Sequence, residues 1–193
     1  MPFLEDSVLN YRLLIILVPF LFSCSKKDAA DSASLSANAN GGPDGTIPQS
    51  GQEYGGGERI VLTPYGMSFL IPADWKGEVG EREFVLGHEE TSAVALVTAA
   101  RIAEADVRQA FTERIEIFEG IYMVPEGSPS ESGNVTSSAY DITGEQDGSS
   151  WKGYIAATVG GFEWTSFTIG LAPSSHQDFL SSAVNDINSS IVL

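Results

Sequence analysis

The sequence predicts an α+β domain in which one antiparallel β-sheet carries two main helices. Three observations predict it. Ser150 to Val159 and Glu163 to Leu171 alternate on a period of two around a Gly160-Gly161 turn, the pattern of adjacent strands. Phe179, Leu180, Ala183, Val184, Ile187 and Ile191 recur at steps of three and four, which makes one face of a helix. The elements come as strands, helix, strands, helix, an order that belongs to α+β folds. The chain has 193 residues, which fits one such domain, and 42% of them are hydrophobic, enough for a core.

The start of the chain is of another kind. Leu13 to Phe22 is a run of ten apolar residues with Arg12 in front of it. As a helix the run rises about 15 Å, half of a bilayer core of about 30 Å. It has the length of a signal peptide's apolar part. The run ends Leu21-Phe22-Ser23-Cys24, and Cys24 is the single cysteine. Leu three positions before the cysteine and a small residue just before it resemble the lipobox of bacterial lipoproteins. The resemblance implies a signal peptide over residues 1–23, cleavage before Cys24, lipid on the Cys24 thiol and acylation of the new amino group. Ser25 at the next position resembles the pattern that lets lipoproteins leave the inner membrane. The expected location is therefore the cell envelope, the outer membrane favoured, with the domain in the periplasm or at the cell surface.

Residues 24–57 read as the lipidated cysteine and a flexible linker. Ala29 to Asn40 is nearly all Ala, Ser, Asp and Asn, and glycine-rich stretches follow at Gly41-Gly42 and Gly55-Gly56-Gly57. Such a segment buries too little apolar area to offset its ordering entropy. A coil of roughly 33 residues spans about 30 Å. No fixed structure is expected before Glu58.

The domain occupies 58–193. Ile60-Val61-Leu62 opens a strand, Pro64-Tyr65-Gly66 turns it, and Met67 to Ile71 returns until Pro72. Arg82 to Leu86 and Ser92 to Thr98 are further strands. Over Ile102 to Glu119 the period changes: Val107, Ala110, Phe111, Ile115 and Phe118 mark one helical face, and Glu104, Asp106, Glu113, Glu116 and Glu119 take the others. Asn134 to Thr143 is rich in Val, Thr, Ser and Tyr and begins a meander of three strands. Ala172-Pro173-Ser174-Ser175 stops the last strand. Ser175 with Asp178 resembles a capping box for the final helix, with the acid shortened from Glu.

Composition limits the chemistry. Twenty-six acidic residues oppose ten basic ones, for a net charge of -16. No basic patch exists to displace counterions, so nucleic acid is excluded as a partner. Anionic headgroups repel the same surface. The two histidines are His88, in what reads as an exposed hairpin turn, and His176, in the first turn of the last helix. Neither has a nearby cysteine or a nucleophile elbow. Gly66-Met67-Ser68-Phe69-Leu70 lacks the second glycine of G-x-S-x-G. Asp141 to Gly148 has spaced acids that suit a hard cation, yet it lacks the EF-hand spacing and reads as a turn. Gly55-Gly56-Gly57 has no Lys-Ser/Thr after it and is no phosphate loop. No catalytic, cofactor-binding or metal-binding residue is assigned, and no cofactor is expected. Cys24 is the one assigned site residue.

Phe69-Leu70-Ile71-Pro72-Ala73-Asp74-Trp75 resembles the F-x-I-P-x-x-W entry of the PsbP-like α/β/α sandwich group. That group includes extrinsic subunits of photosystem II, a Ran-binding nuclear import factor and many bacterial lipoproteins. The resemblance covers 58–193. It implies a non-catalytic scaffold that docks on other proteins, here a protein of the envelope. It also leaves open whether the helices cover one face of the sheet or both. Phe69 and Trp75 are expected in the core. Two other readings stay open: a cation- or solute-binding lipoprotein, and an enzyme with an unrecognised site.

Overall fold

The computed structural model describes residues 44–80, 83–118, 120–143, 150–160 and 164–193. The predicted signal peptide, Cys24 and the linker as far as residue 43 lie outside the described residues.

The first half of the domain holds β1 (Tyr54–Gly55), β2 (Arg59–Leu62), β3 (Met67–Leu70), β4 (Lys76–Val79), β5 (Phe84–His88) and β6 (Ala93–Arg101). Helix α1 (Glu104–Ala110) follows, then β7 (Ile115–Phe118), β8 (Ile121–Pro125), β9 (Ser130–Ser132), β10 (Val135–Thr143), β11 (Trp151–Val159) and β12 (Trp164–Pro173). Helix α2 (Gln177–Ser189) closes the fold. The main sheet runs β1-β4-β5-β6-β12-β11-β10-β8-β7, with β9 beside β10, and every named strand pair in it is antiparallel. Strands β2 and β3 form a separate hairpin. It turns at Thr63–Tyr65, where Gly66 takes φ +64 and accepts the left-handed backbone that other residues resist.

Side-chain alternation divides the sheet into two faces. Phe84 and Leu86 of β5 and Ala93, Ala95, Val97 and Ala99 of β6 lie with Leu180, Val184 and Ile187 of α2. Ile60, Met67 and Phe69 of the hairpin join this cluster. Leu96, Ile155, Phe167 and Ile169 point the other way, to Val107 and Phe111 at α1. The two helices therefore cover opposite faces, and the sheet is the middle layer of an α/β/α sandwich. The α2 face is built from small residues because the helix sits close to it. A Cβ on Gly170 would lie 2.7 Å from both Leu180 Cδ1 and Val184 Cγ2. Any side chain there would lift the helix off the sheet.

Three expectations need correction. The first helix ends at Ala110, and Ile115–Phe118 is a strand. Ile115-Glu116-Ile117-Phe118 satisfies a period of two as well as a helical one, and its β-branched residues favour the strand. The short hairpin with β8 through Gly120, at φ +78, settles the choice. The folded body also begins before Glu58. Thr46 bridges Ile60 in parallel, and Tyr54 is 2% exposed with its ring 6.0 Å from that of Phe84. One aromatic ring anchors a stretch whose glycines read as linker. The capping box does not form: α2 begins after His176, with no side-chain cap.

Tyr140 links the sheet to α1 from β10. It is fully buried, and its hydroxyl donates to the Phe111 carbonyl at 3.4 Å. Burial pushes its ionisation well above the ordinary tyrosine value, against a smaller opposing effect of the Ser138 hydroxyl. The folded state thus keeps this proton after the unfolded chain has released it at about pH 10. Stability is complete below that pH and is lost as pH rises above it. Urea melts from pH 8 to 11 should show wild type losing stability above pH 10 more steeply than Tyr140→Phe. Parallel curves for the two proteins would refute the assignment.

Candidate functional site

Where the β2–β3 hairpin meets the C-terminal end of α2, the surface opens into a groove of about 810 Å³. One wall is the Gly55–Gly57 turn after β1, the second is Leu70 to Lys76, and the third is Asp186 and Ser190 of α2 and its cap. Backbone hydrogen bonds hold the first two walls together. Gly57 N–H donates to the Ile71 carbonyl, and Ile71 N–H to the Glu58 carbonyl, each at 2.9 Å. A Cβ on Gly56 would lie 2.8 Å from the Pro72 oxygen, so the approach requires glycine. The third wall is fixed by Ser190. Its hydroxyl accepts from Leu70 N–H at 2.9 Å and donates to the Ile187 carbonyl at 2.7 Å.

The segment Pro72-Ala73-Asp74-Trp75 turns sharply here. Trp75 N–H donates to the Pro72 carbonyl at 3.3 Å, and Asp74 takes φ +65. The turn sends Trp75 inward and leaves Asp74 exposed. The Trp75 ring stacks on Phe179 of α2 with centroids 5.9 Å apart and planes within 3°. His88 completes the cluster, 5.6 Å from Trp75 and 4.6 Å from Phe179. Of this aromatic cluster Trp75 lines the groove, and Asp74, Lys76, Asp186 and Ser190 are its polar side chains. Leu70 is 38% exposed, one of few large apolar residues so placed among the described residues. Lys76 pairs with Glu53 at 3.6 Å across an exposed edge.

Asp74 sits where glycine would be the easiest choice. Asp74→Gly is expected to leave the domain as stable as wild type or to stabilise it by up to about 1 kcal/mol. Asp74→Val should cost about 1–3 kcal/mol, because a β-branched residue resists a positive φ. Thermal melts of both variants check this; equal melting of the two would remove the strain argument.

The residues singled out in the sequence fall in several places. Phe69 and Trp75 are in the core, as expected. His88 corrects its expectation. It is the last residue of β5 and 7% exposed, and its Nδ1 lies 2.9 Å from Thr91 Oγ1. The turn it seemed to occupy lies one step on, and Ser92 carries the positive φ there. His176 is in a 3-10 turn just ahead of α2. Asp141 ends up near the edge of β10, where it and Glu126 hold the ammonium of Lys152. The hydrogen bond to Asp141, and next that to Glu126, raise the Lys152 ionisation above its usual value. Gln177 of α2 also donates to Glu126, at 3.3 Å, so the cluster pins the helix start to the sheet. Residues 144–149 of the expected turn and Cys24 lie outside the described residues. Among the described residues no group of three or more His, Cys, Asp or Glu is placed to hold a metal ion. No helix among them is long and apolar enough to cross a membrane.

The groove itself escaped the sequence. Its glycine wall reads as linker, and its third wall is far along the chain. The usable signal is the Pro72-Ala73-Asp74-Trp75 turn.

No family model matches the chain, and no curated protein matches it. Among solved structures it is similar to LpqN, described as involved in cell envelope biogenesis of Mycobacterium tuberculosis, at 13% identity over 73% of this chain and 90% of that one, TM-score 0.47. It is similar to the Ran-binding protein Mog1p of Saccharomyces cerevisiae at 8% identity over 70% and 94%, TM-score 0.48. It is also similar to the cyanobacterial PsbP of Synechocystis at 15% identity over 74% and 91%, TM-score 0.43. These are likenesses of fold and transfer no residue roles.

Proposed function

We propose that the chain is a lipoprotein of the bacterial cell envelope, held to a membrane by lipid on Cys24, whose folded domain binds another protein without catalysis. The observation that carries the binding reading is the open groove between hairpin and α2. Small-molecule sites enclose most of their ligand's surface in a concave, largely apolar pocket with a few converging polar groups. This groove is wide, walled in part by glycine backbone, and carries the exposed Leu70, a surface suited to another polypeptide. The lipobox supplies the anchoring half of the reading. The outer membrane is the favoured site on the strength of Ser25.

The test is co-purification. The full lipidated chain, tagged at its C-terminus, is recovered from gently solubilised membranes and its companions identified by mass spectrometry. A partner retained at constant stoichiometry through two purification steps supports the reading. Recovery of the chain alone from repeated preparations, with and without cross-linking, overturns it.

A further inference from the structure

The geometry points to a cationic polypeptide segment with an apolar side chain, presented close to the membrane surface, as the occupant of the groove. This names the partner chemistry for the binding module proposed above and rests on that reading. The charges of the groove walls are the first argument. Asp74 and Asp186 line it from two of its walls, and both are exposed. Among the described residues neither carboxylate meets a basic side chain within ion-pairing distance. The groove's one lysine, Lys76, is paired with Glu53. Arg59, which pairs with Leu70 across the hairpin, gives its guanidinium N–H groups to Ser68 Oγ and the Ser190 carbonyl. The walls thus carry two carboxylates without an ion-pair partner among the described residues, beside an exposed leucine. A lysine or arginine next to an apolar side chain complements both features.

Asp74 adds a second argument. Its φ of +65 is one that glycine adopts at no steric cost, in a chain with 20 glycines. Aspartate is among the few other residues that tolerate such a φ, and here it leaves its carboxylate exposed in the groove wall.

The chain's entry supplies the third. Thr46 lies parallel to Ile60, with Thr46 N–H donating to the Arg59 carbonyl at 2.8 Å. The chain therefore arrives at the Arg59–Leu70 end of the hairpin, which is the end that opens into the groove. Cys24 precedes Asp44 by 20 residues (44 minus 24). Even fully extended, that length of chain reaches no more than about 70 Å. A domain anchored through Cys24 therefore keeps the groove within that reach of the bilayer. The bilayer itself is a poor occupant, because a chain of net charge -16 is repelled by anionic headgroups.

The test uses the full lipidated chain in nanodiscs of zwitterionic lipid and two synthetic probes, an alternating lysine–leucine peptide and a glutamate–leucine peptide of equal length. Amide NMR shifts locate binding, and titration gives affinity. The lysine–leucine peptide is expected to shift Gly55, Gly56 and Asp74 and to bind at least tenfold tighter than the other. Asp74→Gly and Asp186→Asn should each weaken it at least threefold, and added salt should weaken wild type more than the double variant. Equal affinity of the two peptides, shifts confined to other surfaces, no binding, or variants without effect would overturn the assignment. So would shifts of Gly55, Gly56 and Asp74 on adding anionic vesicles without peptide. Retention of the co-purified partner by the double variant also sinks the groove assignment, while leaving the binding module intact.

Discussion

Trp75→Ala should lower the stability of the folded domain by about 3–5 kcal/mol, the largest effect of any single truncation proposed for it. Trp75 is 1% exposed and among the largest fully buried side chains. It stands at the start of the main sheet's outer part, immediately before β4, and packs on Phe179 from α2 and His88 from β5. Removing the indole leaves a void bordered by elements from three separate parts of the chain. Such a void collapses poorly, because β5 is held by its ladders and α2 by the tight fit over Gly170. Against the 5–15 kcal/mol typical of whole domains, the loss is a large fraction. Melting should fall on the order of 10 °C. Trp75→Phe keeps an aromatic face for Phe179 and should lose less than half as much. Denaturant titration of the three proteins checks the order: the midpoint should move while the slope stays constant. A loss under about 1 kcal/mol for Trp75→Ala would mean that the stack is not a keystone of the sandwich.

The contrast between Trp75 and Asp74 shows what the sequence made legible. Trp75 follows a strand and a proline, and its place in the core was readable from that pattern. The existence of the strand pair β11–β12 was equally readable, because both segments alternate on a period of two, but its register was not: Val159 pairs with Thr165 and Ile155 with Ile169, a longer connection than a turn at Gly160-Gly161 alone implies. Residues 115–118 were not, since their spacing obeys both periods and the decision falls to a partner strand that the local pattern cannot name. Tyr54 was hidden by its glycine neighbours, because composition averages over a segment and one buried ring does not move the average. The groove was least legible. Asp74 and Asp186 are brought together by the sandwich itself, across 112 positions (186 minus 74), and no local feature of either residue announces the other. His88 fails for the same reason. Its sequence neighbours are two glutamates, and its spatial neighbours are two aromatic rings.

Cys24→Ser behind an ordinary cleavable signal peptide should move the chain from the membrane pellet to the soluble fraction almost completely, and labelled palmitate should no longer be incorporated. The size of the effect follows from the anchor proposed. Each buried CH₂ of an acyl chain contributes about 0.8 kcal/mol, and one chain alone gives only reversible binding. Diacylglycerol with an amide-linked acyl group supplies three chains, so wild type should resist extraction by salt and high pH. Serine keeps the size and polarity of the position but lacks the thiol that receives the lipid. Among the described residues nothing replaces it. The net charge of -16 opposes adsorption to anionic headgroups, and no helix among the described residues can span a bilayer. The variant's melting temperature should match that of wild type measured in detergent, because Cys24 lies 20 residues ahead of the first described residue, Asp44. That pairing of results separates anchoring from folding. A Cys24→Ser chain that still sediments with membranes, melts normally and resists carbonate extraction would show that something other than the thiol holds it there, and the lipoprotein reading would fall while the fold stood.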